Sequence, residues 1–239
     1  MSRCVKGWYV NTVQMPKIAV FGGTFNPVHW GHLLIAETAI DQFQLDRVIW
    51  VPTFRSPHKA QALLAFDHRL EMVQRAIADQ PAFTVSAIEG QRQGLSYASA
   101  TLNTLQALEP EAHWYWIMGN DAFQSLPKWY ASESLMAQCT WLVAPRSELN
   151  DIDQQEDDLG RDRLSRDGTS SEQSIALCQA SQPPLSFSSQ LHWHRLQLPL
   201  LGISSTLIRQ RCQEGHSIRY LVPESVRCYI TRQNLYQMS

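Results

Sequence analysis

Short apolar runs that alternate with helix-spaced segments constrain this chain more than any other feature. The runs are KIAVF (17–21), RVIWV (47–51), FTVSA (83–87), HWYWIM (113–118), CTWLVA (139–144) and HWHRLQL (192–198). Between them 31–43, 67–78 and 97–108, and after the last of them 205–213, carry apolar residues at helical intervals, with Asp67 expected as an N-cap and Glu71 following in the first turn. Strands separated by amphipathic helices predict an α/β fold with a parallel sheet and right-handed crossovers. In such a sheet, ligands bind beyond the carboxyl ends of the strands, where the strand order reverses.

The 239 residues suffice for one large domain, expected over 15–239. Residues 1–14 precede Met15 and the first apolar run. They read as an extension outside the folded unit, with an edge strand through Gly7–Val10 as the alternative. Residues 146–190 are polar, rich in Ser and Gln, and mostly lack apolar periodicity, apart from IALC at 175–178. They are expected to form a surface insertion, partly disordered. No internal repeat is found.

Twenty basic against 22 acidic side chains leave a net charge of −2, without the basic run that bulk phosphate-backbone binding needs, so no nucleic-acid partner is expected. No apolar stretch reaches the roughly 18 residues of a membrane span. Arg3 and Lys6 have no sustained apolar region behind them, so no secretory signal is expected. Five scattered cysteines without a CxxC pair read as reduced thiols of a cytoplasmic protein.

Within VFGGTFNPVHWGHLL (20–34), two glycines precede a helix start that bears His29 and His32 three residues apart. Gly22 and Gly23 permit close backbone approach, and free N–H groups at a helix start favour an anion. Residues at this spacing share a helix face, and imidazoles there can donate to phosphate oxygens or, protonated, offset negative charge. The loop is neither a Walker A nor a GxGxxG sequence. Zinc ligation by the pair would need a third ligand, for which only the isolated His58 stands nearby.

The segment GISSTLIRQR (202–211) follows the last apolar run. Hydroxyls of Ser204 and Ser205 at a helix entrance, with Arg209 a turn further on, suit a second anion site. Ordinary N-capping with a solvated arginine is the competing explanation.

GGTFNPVHWGH resembles the HxGH signature of the nucleotidylyltransferase superfamily, and ISSTLIR resembles its ISSTxIR signature. Further segments, VPTFRSPHK (51–59), IEGQRQGLSYA (88–98), IMGNDAFQSLPKWY (117–130) and SIRYLVPESVRCYI (217–230), are similar to bacterial nicotinate mononucleotide adenylyltransferase. The likeness spans 17–236, apart from 146–190. It implies a Rossmann-like doubly wound sheet and adenylyl transfer from ATP to nicotinate mononucleotide, giving nicotinate adenine dinucleotide and pyrophosphate in NAD biosynthesis. By the same resemblance His29, His32 and Arg209 are the catalytic residues. Gly22, Gly23, Thr24, Phe25, Lys59, Gly119, Asp121, Ile203, Ser204, Ser205 and Thr206 border ATP. Trp129 stacks on the pyridine ring, and the backbone of Ser96, Tyr97 and Ala98 receives the nicotinate carboxylate. Mg2+ is expected on the substrate phosphates and not in a cage of protein ligands, because an ionised phosphate nucleophile needs charge stabilisation more than a base.

Several positions depart from the pattern: Ala98 where threonine is common, Asn120 between Gly119 and Asp121, and Asn26 where aspartate is frequent. Core packing is the competing explanation for Trp129, and helix capping for Asp121. Three other functions stay open: preference for nicotinamide mononucleotide, a non-catalytic nucleotide sensor, and a scaffold acting through 146–190. Self-association is also left open.

Overall fold

The computed structural model describes residues 15–57, 64–92, 94–145, 191–199 and 201–237. The expectations for 1–14, for Lys59 and for 146–190 therefore fall outside the described residues. Strands β1 (Lys17–Gly23), β2 (Arg47–Pro52), β3 (Phe83–Val85), β4 (His113–Gly119), β5 (Thr140–Ala144) and β6 (Trp193–Arg195) form one sheet in the order β3-β2-β1-β4-β5-β6. Every pairing is parallel. This is the expected doubly wound, Rossmann-like order, with its reversal between β1 and β4.

The strands read as nearly unbroken apolar runs because both faces of the sheet are covered. Ala19, Phe21, Val48 and Trp50 face one core, shared with Leu33, Ala36 and Ala39 of α1 (Trp30–Phe43) and with Met72, Val73 and Ile77 of α2 (Phe66–Ile77). Ile18, Val20, Ile49 and Val51 face the other, with Leu102 and Leu105 of α4 (Ala98–Leu108) and with Trp116, Met118 and Trp141. Period-two alternation along β1 thus feeds two cores, so a shift of one residue would exchange them.

Among the described residues five further helices follow: α3 (Ile88–Arg92), α5 (Asn120–Ser125), α6 (Ser132–Ala137), α7 (Ser205–Gln213) and α8 (Glu224–Arg232). A 3-10 turn, Leu126–Lys128, follows α5. Several element ends differ from expectation by a residue or two, and β6 covers only Trp193–Arg195 of the 192–198 run; two other differences concern α2 and β3. Helix α2 starts at Phe66 with Ala65 as its N-cap, so Asp67 lies in the first turn and caps nothing. The ring of Phe66, the first residue of the helix, packs 5.4 Å from that of Phe54. Strand β3 stops at Val85 and not at residue 87, because α3 begins at Ile88.

Strands β5 and β6 pair in parallel, Trp141 with Trp193 through Val143 with Arg195. The chain must therefore return from the carboxyl end of one to the amino end of the other between 146 and 190. A parallel pair needs a crossover of a dozen residues or more. The pairing of the described strands thus requires a crossover between β5 and β6.

Candidate active site

The carboxyl ends of β1 and β4 lie at the point where the strand order reverses. Strand β1 ends in Gly22 and Gly23. A side chain at Gly22 would stand 3.1 Å from the Trp116 indole, and one at Gly23 would meet the Phe25 ring at 2.9 Å. Phe25 is 1% exposed with φ +46°, so the chain turns sharply and folds this ring back over the strand end. Gly119 closes β4, and no atom lies within 4 Å of the place a β-carbon would take there. The resemblance expects Gly119 to border ATP, and this space is open to it.

His29 is the N-cap of α1 and is buried. Its backbone N–H donates to His32 Nδ1 at 3.3 Å, and the two rings lie 3.8 Å apart. An accepting Nδ1 fixes the neutral tautomer of His32, which leaves its Nε2–H available as a donor. His29 Nδ1 is buried and has no hydrogen-bond partner among the described residues. A side chain at Gly31 would stand 3.0 Å from that nitrogen, so Gly31 is what allows the His29 ring to lie over the helix start.

Burial pushes the pKa of His29 down from 6.5 to about 4. Burial, and secondarily the neighbouring His29, hold His32 well below 6.5. In the protein alone the pair is therefore neutral and acts through N–H donation. The protonated form considered from sequence requires an anion nearby to offset the desolvation.

The second signature docks against the first. Ser204 caps α7, its hydroxyl accepting from the Leu207 N–H at 3.1 Å. Ser205 donates to the Pro27 carbonyl at 2.8 Å. Arg209 donates to the Asn26 carbonyl at 2.8 Å and to Thr206 Oγ1 at 3.2 Å. The Ile203 carbonyl lies 3.8 Å from the β-carbon position of Gly31, and Trp30 N–H reaches the Leu221 carbonyl at 3.2 Å. N-capping and assembly of the site are therefore both real: one serine does each. Arg209 is half-buried, with one arm of its guanidinium drawn onto the loop after β1.

The other group of expected residues lies beyond β2 and β4. Ser96 Oγ accepts from the N–H groups of Phe54 and Arg55, each at 3.1 Å, while its own N–H donates to the Arg55 carbonyl at 2.8 Å. Ser96 thus anchors the loop, and the N–H groups of Tyr97 and Ala98 stand at the start of α4, which no side chain caps. Trp129 is half-buried against the second core and its Nε1–H donates to Ser125 Oγ at 3.1 Å. The Tyr97 and Tyr130 rings lie 4.8 Å apart, and Tyr130 is exposed. Asp121 sits in the first turn of α5, whose N-cap is Gly119, so it is not the cap considered for it.

Sequence reasoning passed over three residues around these loops. Arg69, 1% exposed, sends its guanidinium to backbone carbonyls of the loops after β1 and β2. Buried Glu89 accepts from the Phe54 N–H at 3.2 Å and from the Thr101 hydroxyl at 2.9 Å. The Tyr236 hydroxyl donates to Asn26 Oδ1 at 2.8 Å, and burial raises its pKa. Arg69 was findable, since it shares the helical stripe of Met72, Val73 and Ile77, where a charge needs buried acceptors. Nothing in the local pattern marks Tyr236.

Comparisons with known proteins show the family and the fold. A family model described as cytidylyltransferase-like matches residues 20–211. A curated relative from Trichormus variabilis, named "Probable nicotinate-nucleotide adenylyltransferase", is 48% identical over 223 residues, covering 93% of this chain and 98% of the relative. The chain belongs to the nicotinate-nucleotide adenylyltransferase family. A Synechococcus member of the same name is 43% identical over 92% of this chain and 96% of its own. The fold also matches Plasmodium falciparum nicotinic acid mononucleotide adenylyltransferase, solved in complexes with APC and with NaAD. Its TM-score is 0.65 at 17% identity, over 92% of this chain and 97% of that one.

Proposed function

We propose that the protein joins ATP to nicotinate mononucleotide, forming nicotinate adenine dinucleotide and releasing pyrophosphate, as a cytoplasmic step of NAD biosynthesis. The observation that carries this reading is the docking of Ser205 and Arg209 onto the Pro27 and Asn26 carbonyls beside the stacked His29–His32 pair. It gathers imidazole, hydroxyl and guanidinium donors at the end of β1 without any carboxylate among them. Such a donor set suits a triphosphate.

A phosphate oxygen of the mononucleotide attacks the α-phosphorus of ATP. The new O–P bond forms as the bond to the β-phosphate oxygen breaks, and pyrophosphate carries away the electron pair. His32 Nε2–H and Arg209 donate to oxygens on which charge accumulates, and the loops hold nucleophile and phosphorus in line. Among the described residues no cluster of three or more His, Cys, Asp or Glu side chains stands ready to hold a metal. The donors above fit a magnesium ion carried on the phosphates, where it supplies charge neutralisation. Uncapped N–H groups at the start of α4 attract a carboxylate, which favours the nicotinate over the nicotinamide form.

The deciding experiment is pyrophosphate release with ATP, magnesium and each pyridine mononucleotide. Higher kcat/KM with the acid is expected. Preference for the amide overturns the substrate assignment, and binding of ATP without turnover on either makes the protein a sensor.

A further inference from the structure

The Arg69 guanidinium lies beneath two loops and is shut off from solvent, the residue being 1% exposed. Its Nη1 donates to the Thr24 carbonyl at 2.9 Å and to the Thr53 carbonyl at 2.7 Å. Its Nε donates to the Leu64 carbonyl at 2.9 Å, and Nη2 stands 3.5 Å from that of Phe54. Thr24 follows β1 on the side assigned to ATP. Thr53 and Phe54 follow β2, and the Phe54 N–H is held by Glu89 and by Ser96, on the side assigned to the mononucleotide. One more bond, Thr53 N–H to the Gly23 carbonyl at 2.8 Å, ties the same loops.

We propose that Arg69 is a positioning residue that fixes the spacing between the two substrate loops. The proposal rests on the function assigned above. A buried guanidinium is held by charge-assisted bonds, so the carbonyls it binds are costly to release. Those carbonyls are turned inward, where they cannot repel an incoming phosphate. The planar fork addresses several acceptors at once, which an ammonium cannot reproduce. The path from Thr24 through Arg69 and Phe54 to Ser96 makes the ATP loop and the mononucleotide loop one rigid piece. In-line transfer between two bound substrates depends on that spacing, since a misplacement of about 1 Å can cost a hundredfold.

The test is steady-state kinetics on Arg69→Lys and Ser96→Ala, below the melting temperature of each and normalised to folded protein by circular dichroism. Arg69→Lys is expected to lower kcat at least tenfold and to raise KM for both substrates. Ser96→Ala, at the far end of the path, is expected to raise KM for ATP as well as for the mononucleotide. An Arg69→Lys protein with a lowered melting temperature but wild-type kcat and KM values overturns the proposal. So does a Ser96→Ala protein altered in mononucleotide KM alone, which decides the matter if Arg69→Lys does not fold. Absence of turnover in the wild type refutes the assigned function instead.

Discussion

The two histidines at the head of α1 hold opposite obligations. As N–H donors they must approach an anion, yet their burial disfavours the charge that would bind it best. Two measurable consequences follow from His29. Its pKa is 6.5 when unfolded and about 4 when folded, so between these values only the unfolded chain takes up the proton. Stability is thus full above pH 6.5 and declines as pH falls toward 4, by about 3 kcal/mol for this group. Melting temperatures should fall across that window, and the fall should be shallower in His29→Gln. The second consequence runs through ATP. Its phosphates offset the cost of charging the pair, so binding should take up protons near pH 6. Calorimetry in buffers of different ionisation enthalpy reads that uptake, which should shrink in His29→Gln. His32→Ala, which removes the freed Nε2 donor, should lower kcat by roughly a hundredfold or more without unfolding the protein.

At the scale of elements, α7 shows how one short segment both folds and functions. Ser204 accepts the Leu207 N–H, so alanine there should cost about 1 kcal/mol, or roughly 2–4 °C in Tm for a chain of this size. Aspartate caps equally well but places a negative charge at the mouth of the site. Ser204→Asp should therefore keep the melting temperature of the wild type while raising KM for ATP severalfold or more. If Ser204→Asp binds ATP normally, residue 204 serves the helix alone.

The elements also show what the sequence could reveal. The strands and long helices were legible because two faces of the sheet and one face of each helix demand apolar residues at fixed periods. Helices α3 and α6 span five and six residues, too few for a period to stand out, and α5, six residues long, enters the sequence reading only as a helix that Asp121 would cap. Helix α8 was legible in principle: Pro223 and Glu224 precede Val226 and Ile230, which share a face. At the site, glycines, histidines and serines were visible as residue types. Ser96 holding Phe54 and Arg69 holding Thr24 were not, since those bonds end on backbone atoms, which carry no sequence signal.

For the whole molecule, the decisive constraint is the long segment between β5 and β6. Its composition suggests a dispensable decoration, and full excision of 146–190 would then leave turnover intact. The parallel pairing of β5 with β6 argues otherwise. Strand β6 leads directly into the second signature. Leu196 N–H donates to the Val143 carbonyl, Gln42 bonds both the Arg195 carbonyl and the Gln197 N–H, and Ile208 is buried in the first core. If the chain cannot return to the amino end of β6, Ser205 and Arg209 lose the path that brings them to Pro27 and Asn26. Length, not composition, is then what the segment must supply. Joining Pro145 to Leu191 through about four residues should abolish turnover and lower the melting temperature. A flexible replacement of about 20 residues, longer than the dozen a crossover requires, should restore most of both. Equal activity from the two replacements would mean that β6 is not needed to deliver Arg209 to the site.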